Sequence, residues 1–213
     1  MSVSSTASLS SFTALDLMLM FLADRVYFPN LQDVVIAGHG MGADFVQRYA
    51  AVGMASDLLA KQKINLHFAL ANPGSYLYFT SQRPMKGGLF DIPKNDACNG
   101  GDAYPYGLKQ LTAYPRRTGM QALRLRYPQQ RVTYLIGDAI KDDLYLDRSC
   151  SATLQGDTRL MRAQAYARHI AQSFGRDAFR HQFRAVKGGG YDPVVMFGSS
   201  CGLTLLFGNG VCQ

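Results

Sequence analysis

Four apolar residues, Val34, Val35, Ile36 and Ala37, stand in an uninterrupted run that ends at Gly38. A short run of this kind bounded by glycine predicts a strand buried on both faces. The apolar positions then switch to helical spacing at Phe45, Val46, Tyr49 and Ala50, which predicts a helix reaching about Val52. Further short apolar runs predict strands at 64–71, 131–136 and 182–186; Asn72-Pro73-Gly74 closes the first of these with a turn. His67, inside that strand, reads as a packed or hydrogen-bonded core histidine. Residues 157–174 predict a long helix with Leu160, Ala163, Ala167 and Ile170 inward. Residues 12–24 predict an amphipathic helix with Leu15, Leu19 and Leu22 on one face, Met18 beside them and Asp16 interrupting the run. Strands alternating with helices predict an α/β fold with a mostly parallel sheet.

The pattern is weakest over 75–130, where Pro, Gly, Tyr and Asn are frequent and the only helical patch falls at about 106–113. That is long for a plain connection between strands, and it predicts a cap or lid-like insertion, or an irregular one. Residues 1–11 are Ser-rich and are expected to be disordered. The remainder, 12–213, shows no repeat and no linker and is read as a single domain.

Composition narrows the classes. The 213 residues are 47% hydrophobic, ample for one core, and carry a formal net charge of +7. The arginines behind that charge are dispersed, without a dense basic block interleaved with aromatics, so a solvated basic surface is expected and nucleic acid is not. No run reaches the roughly 18 apolar residues of a membrane span, and no membrane partner is expected. The apolar start lacks Lys or Arg before it and is interrupted by Asp16, so it reads as a helix rather than a targeting peptide. Localisation is left open. The four cysteines, Cys98, Cys150, Cys201 and Cys212, contain no C-x-x-C pair, so no metal site is expected. No cofactor is expected either.

Candidate chemistry centres on Gly38-His39-Gly40-Met41-Gly42, between the first strand and its helix. Strand, sharp turn and helix form the context of a G-x-S-x-G nucleophile elbow, whose central serine hydroxyl is thrust forward. Here the central residue is Gly40, which has no side chain. The same stretch matches G-x-G-x-x-A as Gly38, Gly40 and Ala43, a weak dinucleotide signature. The next strand ends Leu70-Ala71-Asn72-Pro73 without the acidic residue that would hold a ribose, which argues against a Rossmann-like module.

Across nearly all of 12–207 the chain resembles α/β-hydrolase-fold proteins, a family of esterase-like proteins, many of them fungal or bacterial. The segments that carry the resemblance are FPNLQDVVIAGHGMGADFVQRYA, ANPGSYLYFTSQRP, the region of Cys98 and Tyr106-Gly107-Leu108, VTYLIGDAIKDD, LDRSCSATLQGDTRLMRAQAY and GGGYDPVVMFGSSCGLTLLFG. The resemblance implies a Ser-Asp-His triad on three loops at the strand ends. Carried over position by position, the nucleophile falls on Gly40, the acid on Ile140 and the histidine on Tyr191, with Asp138 and Asp142 as neighbouring candidate acids. The backbone N–H of Met41 would remain as an oxyanion donor. A degenerate, catalytically inactive hydrolase-like protein is therefore expected, with a ligand- or partner-binding role. The alternatives are a hydrolase of non-standard mechanism, with water activated by Asp138, Asp142 or Tyr191, and the nucleotide-binding module.

The resemblance implies further expectations. Tyr76, Tyr78 and Phe79 either line a site for a small hydrophobic or ester-like ligand or belong to the core. Cys98 and Cys150 either form a disulfide or are buried thiols. The family places several strands before the elbow, whereas this chain reaches it by residue 34. An N-terminally truncated domain is expected, its first strand left with one unpaired edge open to self-association.

Overall fold

The computed structural model describes residues 9–93, 98, 101–140, 143–175, 180–208 and 212. Asp142 and the first eight residues of the expected disordered start lie outside these. Ser10 is ordered: its hydroxyl accepts a hydrogen bond from Phe12 N at 3.2 Å and caps helix α1 (Ser11–Leu22). The chain continues through β1 (Asp33–His39), α2 (Met41–Val52), α3 (Ala55–Lys61) and β2 (Asn65–Ala71). A short hairpin follows, β3 (Arg83–Pro84) with β4 (Phe90–Asp91), then α4 (Ala113–Thr118) and α5 (Met120–Arg126). The remaining elements are β5 (Arg131–Gly137), α6 (Cys150–Thr153), α7 (Arg159–Phe174), β6 (Arg180–Val186), α8 (Pro193–Gly198) and α9 (Ser200–Phe207).

Strands β1, β2, β5 and β6 form one parallel sheet in that order. Parallel neighbours need crossovers, and helices or long segments supply each one here. Side chains alternate along β5. Val132, Tyr134 and Ile136 enter the main core with α2 and α7, while Leu135 packs on the other face with Ala71, Val186, Met196 and Cys201. Both faces of the inner strands are thus covered, which explains their continuous apolar runs.

Several expectations need correction. β1 is not buried on both faces: Val34, Val35 and Ile36 are half-buried and Ala37 is exposed, because among the described residues β1 lies at the sheet edge and pairs only with β2. Residues 106–112 are not helical; the helix begins at Ala113. Leu160 is exposed, whereas Arg159, Arg162, Tyr166 and His169 turn inward with Ala163 and Ile170. Met18 is exposed. Asp16 faces the core, accepting from the Tyr49 hydroxyl at 2.6 Å, from the Tyr114 hydroxyl and from Met54 N at 3.2 Å. The residue that looked like an interruption of α1 thus pins it to α2 and α4. The 75–130 segment contributes to the main core through Tyr76–Phe79, Leu108, Leu111, Tyr114, Leu123 and Tyr127.

That core is unusually polar for its depth. Gln47 Nε2 donates to the hydroxyls of Tyr127 and Tyr166, both at 2.9 Å; Tyr127 and Tyr134 share a 2.7 Å bond; Tyr134 meets His181 Nδ1 at 3.0 Å. Every one of these side chains is buried, so each needs its partners. Burial pushes His67 and His181 down to about 4 and His169, whose Nε2 accepts from Phe79 N at 3.0 Å, down to about 3. His169 is neutral when folded, while the unfolded chain takes up its proton near pH 6.5. Its stabilisation is complete above that pH and is lost as pH falls toward 3. By pH 5 the loss is about 2 kcal/mol for this one group. Denaturant unfolding at pH 7.5 and pH 5 should show the native chain losing about 2 kcal/mol more than His169→Gln; equal losses would contradict the assignment.

Candidate active site

The site is built where β1, β2 and β5 end. The β1–α2 turn holds Gly40 at φ +56°, ψ −120°, a conformation L-residues adopt only under strain. Gly40 N donates to Ala71 O at 2.9 Å, which anchors the turn to the end of β2. Gly38 allows the turn to be this tight: a Cβ there would overlap the Gly42 carbonyl and lie 2.8 Å from Ala43 N. The backbone is therefore that of a nucleophile elbow, with Met41 at the first turn of α2.

The loop before α8 delivers Tyr191 to the same point. A Cβ built on Gly40 would overlap the Tyr191 hydroxyl oxygen and sit 3.0 Å from Tyr191 Cζ. The tyrosine thus fills the space that a nucleophile's side chain would need. Its ring is clamped: His39 lies 4.6 Å away between centroids, Tyr145 stacks at 5.3 Å, and the Arg159 guanidinium sits 4.4 Å over the ring. Burial holds the Tyr191 phenol above its ordinary value, with Arg159 opposing and the Asp143 and Asp44 charges adding to the rise. At neutral pH it holds its proton more firmly than a free tyrosine, so even less of it is present as the phenolate that could act as a base. His39 is pushed down, first by burial and then by Arg159, so it is neutral there.

The other two positions are farther from the elbow's chemistry. Ile140 is half-buried and lines a cavity of about 390 Å³ with Asp138, Asp143, Leu146, Arg148 and Arg159. Asp138 is exposed; its Oδ1 accepts from Gly188 N at 2.7 Å, so it braces the loop before α8. Asp143 is the acid that the sequence reading missed. It receives Arg159 through Nε at 2.6 Å and Nη2 at 3.2 Å, and Arg159 also donates to Asn72 O and Tyr145 O. The signal was present in two arginines, 159 and 162, spaced three apart at the start of a helix whose inner face was expected to be apolar. Asn72 was also missed. It is fully buried at φ +51°, accepts from Gly137 N at 2.8 Å, donates to Gly190 O at 3.0 Å and contacts His39. Its amide ties the ends of β2 and β5 to the loop carrying Tyr191.

Of Tyr76, Tyr78 and Phe79, Phe79 lines a cavity of about 390 Å³ with Thr80, Arg124 and Phe174. All three are buried in the main core, stacked among Tyr166, His169 and Tyr127. None of the cavities of about 620, 440, 390, 390 and 170 Å³ among the described residues is lined by Gly40, Met41 or Tyr191. Cys98 and Cys150 form a disulfide, as do Cys201 and Cys212. Among the described residues no group of three potential ligands could hold a metal, and no helix is long and apolar enough to cross a membrane.

No family model and no curated protein sequence matches the chain. Solved structures do. One is LpqC, a poly(3-hydroxybutyrate) depolymerase from Bordetella parapertussis, at a TM-score of 0.64 and 21% identity over 94% of this chain and 59% of that one. Another is poly(aspartic acid) hydrolase-1 from Sphingomonas sp. KT-1, at a TM-score of 0.56 and 22% identity over 87% of this chain and 60% of that one. The chain spans about three-fifths of the length of each, and over that span it has the α/β-hydrolase fold, with the elbow turn kept and glycine at its apex.

Proposed function

We propose that this chain is a hydrolase-like protein that does not cleave esters, and that the surface over its strand ends binds a ligand or partner instead. The observation that carries the reading is Tyr191, whose hydroxyl takes the volume a side chain at position 40 would occupy. Position 40 offers no oxygen or sulfur to attack an acyl carbon, so no acyl-enzyme can form there. Tyr191 is held as a neutral phenol, which disfavours the alternative in which it activates water. Its ring also lies over the turn that a pyrophosphate would need, which disfavours the nucleotide-binding alternative.

Tyr191 fills the space at the apex of the elbow, so a ligand or partner would be met by the exposed side chains around it. Met41, Leu144, Tyr145 and Val194 are exposed beside or near Tyr191 and offer apolar contact area. Hydrolysis of p-nitrophenyl acetate and butyrate tests the loss of chemistry. The native chain should release nitrophenol at the rate of a buffer control, and Tyr191→Phe should not change that rate. Turnover that Tyr191→Phe abolishes would overturn the reading.

A further inference from the structure

A cleft of about 620 Å³ lies between the β3–β4 hairpin and the α6–α7 segment, with no residue of the elbow in its walls. The hairpin contributes Arg83 and Lys86, the chain after α6 contributes Leu154, and α7 contributes Met161 and Arg168. The Cys98–Cys150 disulfide joins the segment after the hairpin to the start of α6, so the two walls are tied covalently. Arg83 is 1% exposed, and its Nη atoms donate to the carbonyls of Thr80, Gln82, Gly101 and Tyr106 at 2.7–3.2 Å. Among the described residues no carboxylate is paired with it. Asp102 acts on it from a distance but is bonded to Lys109 at 2.8 Å and to Ser81 at 2.6 Å. Burial outweighs that help and holds the guanidinium below its ordinary value. A buried cation without a counter-charge is costly, and an anion beside it relieves the cost. Lys86 and Arg168 are exposed, add two more positive charges, and among the described residues are likewise paired with no carboxylate.

We infer that this cleft binds a medium-chain alkyl carboxylate, its head at Lys86 and Arg168 and its tail running along α7 toward Met161 and Leu154. The lining fits both parts. Met161, Gln164, Ala165 and Arg168 recur at helical spacing, so one face of α7 runs along the cleft. Arg168 stands at one end of that face, and Asp157, just before the helix, stands at the other. The rise from Met161 to Arg168 is about 10 Å. A carboxylate is drawn to the basic end and repelled from the acidic one, which orients the molecule. Pro84, Met85, Pro93, Leu154 and Met161 supply apolar contact, and the two methionines adapt to a chain of variable shape. A bare inorganic anion would leave these side chains unused. The site is separate from the surface around Tyr191 and does not rest on the reading of the elbow.

The test is isothermal titration calorimetry of the full, disulfide-bonded chain with octanoate, octanol and inorganic phosphate. Octanoate should bind with a Kd of about 100 μM, and octanol and phosphate about tenfold more weakly or not at all. Lys86→Gln and Arg168→Gln should each weaken octanoate binding about fivefold, and the double variant about 25-fold. Octanoate bound equally well by the double variant would overturn the proposal, because the molecule would then sit elsewhere, for instance on the apolar surface beside Tyr191. So would the absence of octanoate binding, or phosphate bound as tightly as octanoate, which would make this a plain anion site. Circular dichroism checks that the variants fold. If Arg168→Gln does not, Lys86→Gln decides, since its side chain is exposed on the hairpin.

Discussion

Replacing Gly40 with serine should lower the unfolding free energy by about 4 kcal/mol and restore no activity. Two costs add. A non-glycine residue in this strained backbone conformation costs about 1–3 kcal/mol. Forcing a side chain into filled space costs about 1–3 kcal/mol more, and here the space is taken by the Tyr191 hydroxyl. The second cost depends on Tyr191 and the first does not. Gly40→Ser in a Tyr191→His background should therefore cost about 2 kcal/mol less than in the native chain, a coupling of the size seen for residues in contact. Urea unfolding of the four proteins of this cycle measures it. Additive costs would mean that Tyr191 does not plug the elbow.

Loss of the Cys98–Cys150 disulfide should be equally costly. The bond closes a loop of 52 residues and joins the segment after the β3–β4 hairpin to the start of α6. Restricting the unfolded chain over that length is worth about 4 kcal/mol on the chain-entropy account. The Cys201–Cys212 bond closes only 11 residues and should be worth about 3 kcal/mol. Thermal unfolding of Cys98→Ala/Cys150→Ala and Cys201→Ala/Cys212→Ala should therefore show the larger drop for the first pair. The reverse order would indicate that the short loop does more than shorten the chain, for instance by holding α9 against the small second core.

The strands were legible because each is a short run with its own punctuation: Gly38 near the end of β1, Asn72-Pro73-Gly74 after β2, Gly137 at the end of β5. What the sequence could not show was sheet position. Val34, Val35 and Ile36 read like a central strand, yet the apolar run reports only that side chains meet apolar neighbours, not how many strands flank the backbone. The inward arginines of α7 defeated the helical pattern for a related reason. Arg159 and Arg162 are buried because the Asn72 and Gly74 carbonyls after β2, the Asp147 and Gly156 carbonyls and the Asp143 carboxylate satisfy them, and all of these acceptors lie outside the helix. Tyr76, Tyr78 and Phe79 likewise have the composition of a ligand site and the environment of a core.

At the site, the vacancy at position 40 was readable from one residue, since glycine cannot be a nucleophile. The tyrosine at 191 was readable as an absent histidine. That the two absences fit each other was not. It depends on the loop before α8 being carried to the β1–α2 turn, through Asn72 and the bracing of Gly188 by Asp138.

The most direct measurement is ester hydrolysis by the native chain beside the triple variant Gly40→Ser, Ile140→Asp, Tyr191→His, with circular dichroism on both. The account predicts two folded proteins and a native chain with no turnover of p-nitrophenyl acetate or butyrate above buffer. Any rate above buffer should appear only in the variant, in which the plug is gone and a nucleophile stands on the elbow beside the Met41 N–H. Turnover by the native chain above buffer would contradict it, because the chemistry would then reside in groups other than these three.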